Sequence, residues 1–366
     1  MVQPRIAFMG VGAIGSYLGA YFTKAGYAPT LIDPWPEHVD KMKSAGLRAS
    51  GSQGDFTVAV DAMHLTEVQS VRHPFDIVFI AMKSYDTEWA TTFIKRYLSP
   101  TGFMVCAQNS INDETIARIA GYEHTVGLIM SSITVHLVEP GHVVRGAAAG
   151  RDRGYDVFRV GELNGKTTPR ARQLAEMLDC IDASRVTTNL WGERWSKLAT
   201  NCMGNTLTAM SGLAAVDLAQ IAPRFPLLRD EVVRELVAVG LALGINIEPI
   251  SGRPAQAWLD LPPLDALPPA ERSASPEALP QDRPAGFPPS TLQDVRKGRK
   301  TEVDYLNGYV SRRGREVGIA TPVNDAIVAT LKEVESGERA PHPANVDRVW
   351  ELVRQAVPMT VIVPQG

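Results

Sequence analysis

The segment "RIAFMGVGAIGSYLGAYFTKAG", residues 5–26, leaves few folds open to this chain. An apolar run passes into Gly10, Gly12 and Gly15, spaced G-x-G-x-x-G, and these open a helical pattern that runs from Ala13 to about Ala25 and stops at Gly26. The hexad alone is weak, but between a strand and a helix it reads as the first turn of a dinucleotide-binding α/β sheet. Gly10 permits the tight turn, Gly12 lets backbone approach a pyrophosphate, and Gly15 lets the helix pack closely on the strand. The amides of Val11, Gly12, Ala13, Ile14 and Gly15, at the positive end of that helix, would hold the phosphates. The plainer reading is a Rossmann-like sheet without cofactor, its glycines serving packing alone. Asp33 ends the next strand, "APTLIDPWP". An acid there accepts from the adenosine ribose hydroxyls and repels a 2′-phosphate, which points to NAD(H) over NADP(H). Aspartate before Pro34 also suits an ordinary strand-end turn.

The first third continues with "FDIVFIAM", "GFMVCA" and "TVGLIM", continuous apolar strands between helical patterns, which imply a parallel sheet covered on both faces. "HVVRGAA" and "YDVFRVGE", around a Gly/Arg-rich turn, read as an antiparallel hairpin closing that sheet. From about Asn189 helical periods take over, and 366 residues suit two domains, so we place a dinucleotide domain at 1–187 and a helical domain at 188–337. Ten prolines between 251 and 289 exclude regular structure and predict a long loop inserted in the helical domain. Residues 338–366 read as a C-terminal extension.

A net charge of −3 without a basic stripe gives no footprint for nucleic acid. No window approaches ~20 uninterrupted apolar residues and no leader precedes the first strand, so neither a membrane partner nor export is expected, and the default location is the cytoplasm. Cys106, Cys180 and Cys202 have no metal-type spacing, and no metal site is expected; all three read as core.

"KLATNCMGNTLTAM", residues 197–210, has one charge in an uncharged stretch. At about 100° per residue Lys197, Asn201, Asn205 and Thr208 share a stripe, with Thr200 and Gly204 at its edge. A lysine snorkelling from a buried helix explains this by itself; a cationic group facing a bound polar molecule explains it equally.

With the glycine turn and "AQNSIND" around Asn109, that helix resembles the ketopantoate reductase (2-dehydropantoate 2-reductase, PanE/ApbA-like) family, whose K-L-x-x-N-x-x-x-N-x-L-T-A signature it matches position for position. A second block, Ser290 followed by "TLQDVRKGRKTEVDYLNG", extends the resemblance from residue 10 to about 308. The resemblance implies a Rossmann domain, an all-α C-terminal domain of the 6-phosphogluconate dehydrogenase type, and an active site in the interdomain cleft. It also implies hydride transfer between NAD(P)H and a 2-oxo acid, with Lys197 as general acid. Asn109 would lie near nicotinamide and substrate, and Asn201, Asn205 and Ser290 would hold the substrate. Glu302 would bind the ribose end of the cofactor and keep Lys197 in place, and Lys83 would contact the cofactor. The chemistry is sound: a positioned ammonium neutralises and protonates the oxyanion formed as hydride reaches a ketone.

Several of these residues have plainer uses. "STLQ" fits a capping box with Ser290 as N-cap, Glu302 fits a first-turn acid, Lys83 fits a solvated loop, and Trp191 and Trp195 fit core packing. The chain also departs from the family pattern. Asp33 stands where many members carry a basic residue and use NADPH, and Ser110 stands where the family has glycine after the asparagine. A dehydrogenase oxidising a larger hydroxylated substrate and a non-catalytic NAD(H) sensor are the rival readings. Beyond a small-molecule substrate the only partner expected is a second copy, as a homodimer.

Overall fold

Strands read from continuous apolar runs are buried along nearly their whole length. In the computed structural model, which describes residues 3–262, 264, 271–278 and 288–355, the chain divides into two compact units, Met1–Leu190 and Trp191–Gly366. Pro263, Pro268, Pro269, Pro280 and Pro284 of the proline-rich segment, and the tail beyond Gln355, lie outside the described residues.

The first unit holds strands β1 (Ile6–Met9), β2 (Thr30–Asp33), β3 (Leu47–Gly51), β4 (Phe56–Val58), β5 (Asp61–His64), β6 (Phe75–Ile80), β7 (Leu98–Cys106), β8 (Thr125–Met130), β9 (Val135–Glu139), β10 (His142–Arg145), β11 (Phe158–Glu162) and β12 (Ser184–Val186). Its helices are α1 (Ala13–Lys24), α2 (Pro36–Ala45), α3 (Thr87–Lys95), α4 (Asp113–Ala120) and α5 (Pro169–Leu178). The main sheet has the order β12-β11-β8-β7-β6-β1-β2-β5, parallel except that β11 runs against β8. Alternation within β1 divides the core. Ile6 and Phe8 face a cluster containing Tyr17, Leu18 and Phe22 of α1, and Ala7 and Met9 face one containing Ala90 and Ile94 of α3 and Ile116 of α4. Chain order moves outward from β1 in both directions, so the parallel strands reverse their winding between β1 and β6, the place where such sheets bind ligands beyond their carboxyl ends.

A second sheet, β4-β3-β10-β9, corrects the hairpin expectation: β10 and β11 belong to different sheets. The true hairpin joins β9 to β10 across Pro140 and Gly141. Beyond β10 the chain is turned away by a buried ion pair, Arg145 to Asp182 at 2.5 Å, whose carboxylate also accepts from the backbone N–H groups of Gly150, Arg151 and Ala183. β11 does join the main sheet antiparallel to β8, with β12 beyond it at the edge. Helix α1 packs against both sheets, which is why it is buried from Gly15 to Phe22.

The second unit is helical: α6 (Leu190–Ser211), α7 (Ala215–Ile221), α8 (Arg224–Ala242), α9 (Gln256–Leu259), α10 (Ser290–Arg296), α11 (Asn307–Glu316), α12 (Pro322–Glu335) and α13 (Ala344–Gln355). Helix α8 is its centre, in contact with α7, α9, α11, α12 and α13. Residues 338–355 are integral to this unit. The Asn345 amide donates to the Met210 carbonyl at the end of α6, and Asp347 pairs with Arg224 of α8. Asp347 also accepts from the Ser273 N–H, so residues 271–278 of the proline-rich segment dock on their own helical unit. Cys106 and Cys202 are buried as expected, but Cys180 is exposed, at the turn that ends α5. Trp195 is core, edge-on to Tyr309, and Trp191 is partly exposed. No described helix is long and apolar enough to cross a membrane.

Candidate active site

The glycine turn lies after β1 at the carboxyl edge of the main sheet. Gly10 has φ +98°, and a Cβ there would lie 2.6–2.9 Å from Met82 and Ala81, so only glycine fits. A Cβ on Gly15 would sit 2.1 Å from the Gly10 carbonyl oxygen, whereas one on Gly12 would meet nothing within 4 Å. The hexad thus has two members required by packing and one, at the start of α1, that keeps the approach to the amides open. That is the arrangement a pyrophosphate needs.

Val11 is clamped at both ends of its peptide unit. Its N–H donates to Asp33 at 2.6 Å, and its carbonyl accepts from the Ser16 hydroxyl at 2.8 Å and meets His38 Nε2 at 2.9 Å. The Gly141 N–H donates to His38 Nδ1, so the proton of this imidazole sits on Nε2 and is given to Val11. Burial pushes the His38 pKa below its usual value, against the pull of Asp33 and the Val11 carbonyl, and keeps the ring neutral. Asp33 accepts from Trp35 N–H as well, at 2.9 Å. Two backbone donors leave lone pairs on a carboxylate that offers about four.

Register places Gly10, Asp33, Lys83 and Asn109 together. Met9 pairs with Ile32 and Ile80, and Ile80 with Cys106, so all four come just after the same carboxyl edge. The loops after β6 and β7 are tied to each other. Gln108 donates to the Met82 carbonyl and to Thr87, and Asn112 donates to the Ser84 hydroxyl and to the Asn109 carbonyl, all at 2.9–3.0 Å. Asn109 is half-buried within this brace. Ser110 has φ +67°, a left-handed conformation, which accounts for the family's glycine at this position: the backbone requires it and serine adopts it under strain. Gln108 and Asn112, inside the block around Asn109, and Ser84 and His38, outside any motif, were not expected as site residues, because their roles lie in side-chain contacts to groups distant in the chain.

In the helical unit Lys197, Asn201 and Asn205 lie on α6 as the spacing required. Thr200 and Thr208 drop out of the stripe, since their hydroxyls donate to the Lys197 and Asn205 carbonyls of the helix itself. The Asn205 amide lies 3.5 Å from both Asn201 Oδ1 and Ser290 Oγ. These contacts are at the outer limit of hydrogen bonding and do not use up the donor. Asn201 is 4% exposed, and its Nδ2 is buried without a hydrogen-bond partner among the described residues, a costly state that an acceptor would relieve. The capping-box expectation for Ser290 fails. Pro289 occupies the cap position of α10, Gln293 reaches the Pro288 carbonyl instead, and the serine hydroxyl is left to face Asn205. Glu302, buried, begins the short turn Val303–Tyr305, not a first helical turn. Lys83 and Lys197 are both partly buried. Cys202 faces the core, and burial pushes its thiol pKa up, so it is no nucleophile. Among the described residues no cluster of His, Cys, Asp and Glu could hold a metal ion.

Residues 6–155 match the family model for ketopantoate reductase PanE/ApbA, and residues 189–335 match the model for the C-terminal domain of the same family. Over 335 residues the chain is 29% identical to a 2-dehydropantoate 2-reductase of Archaeoglobus fulgidus, covering 91% of this chain and 98% of that protein. It shares its fold with a PanE/ApbA family ketopantoate reductase from Ralstonia eutropha (TM-score 0.70, 24% identity, 91% and 99% coverage). It shares it equally with a D-mandelate dehydrogenase solved with NADH and anilino(oxo)acetate (TM-score 0.71, 20% identity, 91% and 98% coverage).

Proposed function

Because the chain belongs to the ketopantoate reductase family, we propose that it reduces a 2-oxo acid, 2-dehydropantoate or a close relative, at the expense of NADH. A bound dihydronicotinamide supplies the hydride. The amides of Gly12 to Gly15 would hold the pyrophosphate, the Val11 N–H expected to join them being engaged by Asp33 instead, and Asp33 would hold the adenosine ribose. Lys83 and Glu302 complete the cofactor contacts, and Asn109 orients the reacting carbonyl. NADH is favoured because the Asp33 carboxylate would repel a 2′-phosphate, and the neighbouring imidazole, neutral and engaged at both nitrogens, offers no cation to bind one.

Lys197 protonates the alkoxide as it forms. Neutralising that charge and delivering the proton are one act of one group, the combination of electrostatic and acid catalysis that ketone reduction requires. Asn201, Asn205 and Ser290 bind the substrate carboxylate and hydroxyl without adding charge that would compete with the ammonium. The observation that carries this reading is the Asn201–Asn205–Ser290 cluster one and two turns from Lys197, with a buried donor awaiting an acceptor. A sensor that merely bound NAD(H) would have no use for it.

The test is to follow nicotinamide oxidation by the purified protein with 2-dehydropantoate and other 2-oxo acids, with NADH and NADPH in parallel. Turnover with NADH exceeding that with NADPH is expected. Failure to reduce any 2-oxo acid with either cofactor would reject the reading, and oxidation of a larger alcohol in the absence of such reduction would select the dehydrogenase alternative.

A further inference from the structure

The Val11 carbonyl and the Gly12 N–H belong to one planar, trans peptide unit, in which they point in opposite directions. Whatever anchors that carbonyl therefore aims that N–H, the first of the amides a pyrophosphate would meet. Gly12 cannot fix the direction by its own bulk: it has no side chain, and a Cβ there would touch nothing within 4 Å. Two donors fix it from behind. The Ser16 hydroxyl reaches the Val11 carbonyl at 2.8 Å, and His38 Nε2 reaches it at 2.9 Å. Ser16 lies on α1, which the same turn opens, and moves with it. His38 comes from α2 and is fully buried.

The imidazole is itself held. Its Nδ1 accepts from the Gly141 N–H at 2.9 Å, and the Trp35 ring stacks on it with centroids 5.6 Å apart and an interplanar angle of 23°. Gly141 lies in the turn of the β9–β10 hairpin with φ +75°, and a Cβ there would lie 2.7 Å from Lys41 Cγ of α2, so hairpin and helix are pressed together beside the ring. A neutral imidazole donates at one nitrogen and accepts at the other across a rigid ring, so the place of the hairpin is passed to the glycine turn with little slack. We infer that His38 is a positioning residue for the cofactor: with Ser16 it anchors the Val11 carbonyl, aims the Gly12 N–H at the pyrophosphate, and refers the glycine turn to the second sheet. This rests on the dinucleotide binding proposed above and deepens it, by naming a residue outside the glycine motif that sets the direction of the first amide.

The test compares the full-length protein with His38→Asn, His38→Gln and Ser16→Ala. It reads the NADH dissociation constant by fluorescence titration, kcat at saturating NADH on the best 2-oxo acid, and the melting temperature. Asparagine keeps a polar atom near the position of Nδ1 but does not reach the Val11 carbonyl, whereas glutamine carries an N–H near the position of Nε2. His38→Asn should raise the NADH dissociation constant about five- to tenfold, the scale of one lost hydrogen bond, with kcat changed less than about twofold. His38→Gln should restore most of that affinity, and Ser16→Ala, which removes the other donor to the same carbonyl, should weaken NADH about two- to fivefold. A residue that only packed would lower the melting temperature of both His38 variants and leave NADH binding as it was. An NADH dissociation constant unchanged in His38→Asn or in Ser16→Ala, or a glutamine variant no tighter than the asparagine one, overturns the inference. Ser16→Ala decides the matter if His38→Asn does not fold. Wild-type protein that binds no NADH would instead reject the proposed function, and the role of His38 with it.

Discussion

Asp33 fixes the glycine turn through the Val11 N–H, and on the proposed function the same carboxylate also holds the adenosine ribose. Separating them needs a substitution that keeps an acceptor. Asp33→Asn should narrow the NADH-over-NADPH preference by about tenfold, the equivalent of a charge-assisted hydrogen bond of about 1.5 kcal/mol, read as the ratio of the two dissociation constants. An unchanged ratio would show that the carboxylate serves the turn alone. On the helical side, Asn201→Ala and Ser290→Ala should raise KM for the 2-oxo acid more than they lower kcat, since both residues hold groups that do not change charge in the reaction. These residues were legible in the sequence because spacing on a helix fixes which side chains share a face. The plainer use of Ser290 as a helix cap was misread, because a capping pattern cannot tell whether the serine or the proline before it takes the cap. The brace made by Gln108 and Asn112 was not legible, although both lie in the block around Asn109: their partners Met82, Thr87 and Ser84 lie more than twenty residues away.

Among the elements, α6 depends on contacts that no local pattern announces. Its C-terminal carbonyl at Met210 accepts from the Asn345 amide and the His342 N–H, both in the stretch that reads as an extension. Asn345→Ala should destabilise the helical unit by about 0.5–1.5 kcal/mol in urea unfolding, the range for a lost hydrogen bond whose acceptor keeps another donor, here the His342 N–H. A loss below the error of the measurement would return that stretch to the status of an appendage. Helix α12 is capped from outside. Glu235 of α8 accepts from the Val323 and Asn324 N–H groups and from the Asn324 side-chain amide. Complete burial and the nearby Glu231 carboxylate push its pKa from 4.5 up to about 8, against those three donors. A carboxyl whose pKa is raised on folding contributes stability that is fully present below pH 4.5 and lost as pH rises through about 8. Unfolding free energy should therefore fall between about pH 4.5 and 8, as read by urea denaturation, and Glu235→Gln should flatten that decline. An equal decline in the variant would assign the pH dependence elsewhere.

For the whole molecule, the division of labour between a parallel sheet and a helical unit came from two hydrophobic periods in the sequence. The inner strands of the main sheet were legible because burial on both faces demands unbroken apolar runs; its edge strands β5 and β12, short and mixed in polarity, were not. The second sheet was not. Leu47–Gly51 and Phe56–Val58 are short and mixed in polarity, and β3 finds its parallel partner, β10, nearly a hundred residues later. On the proposed function each unit would supply one half of the reaction: dinucleotide contacts at the carboxyl edge of a sheet, and an ammonium among amides on a helix. The direct test of that pairing is Lys197→Ala, with turnover on the best 2-oxo acid and NADH affinity measured on the same preparation. Turnover should fall by roughly 10²–10⁴ with NADH affinity little changed, the signature of a lost general acid. Unaltered turnover, or a loss accompanied by an equal loss of NADH affinity, would contradict it.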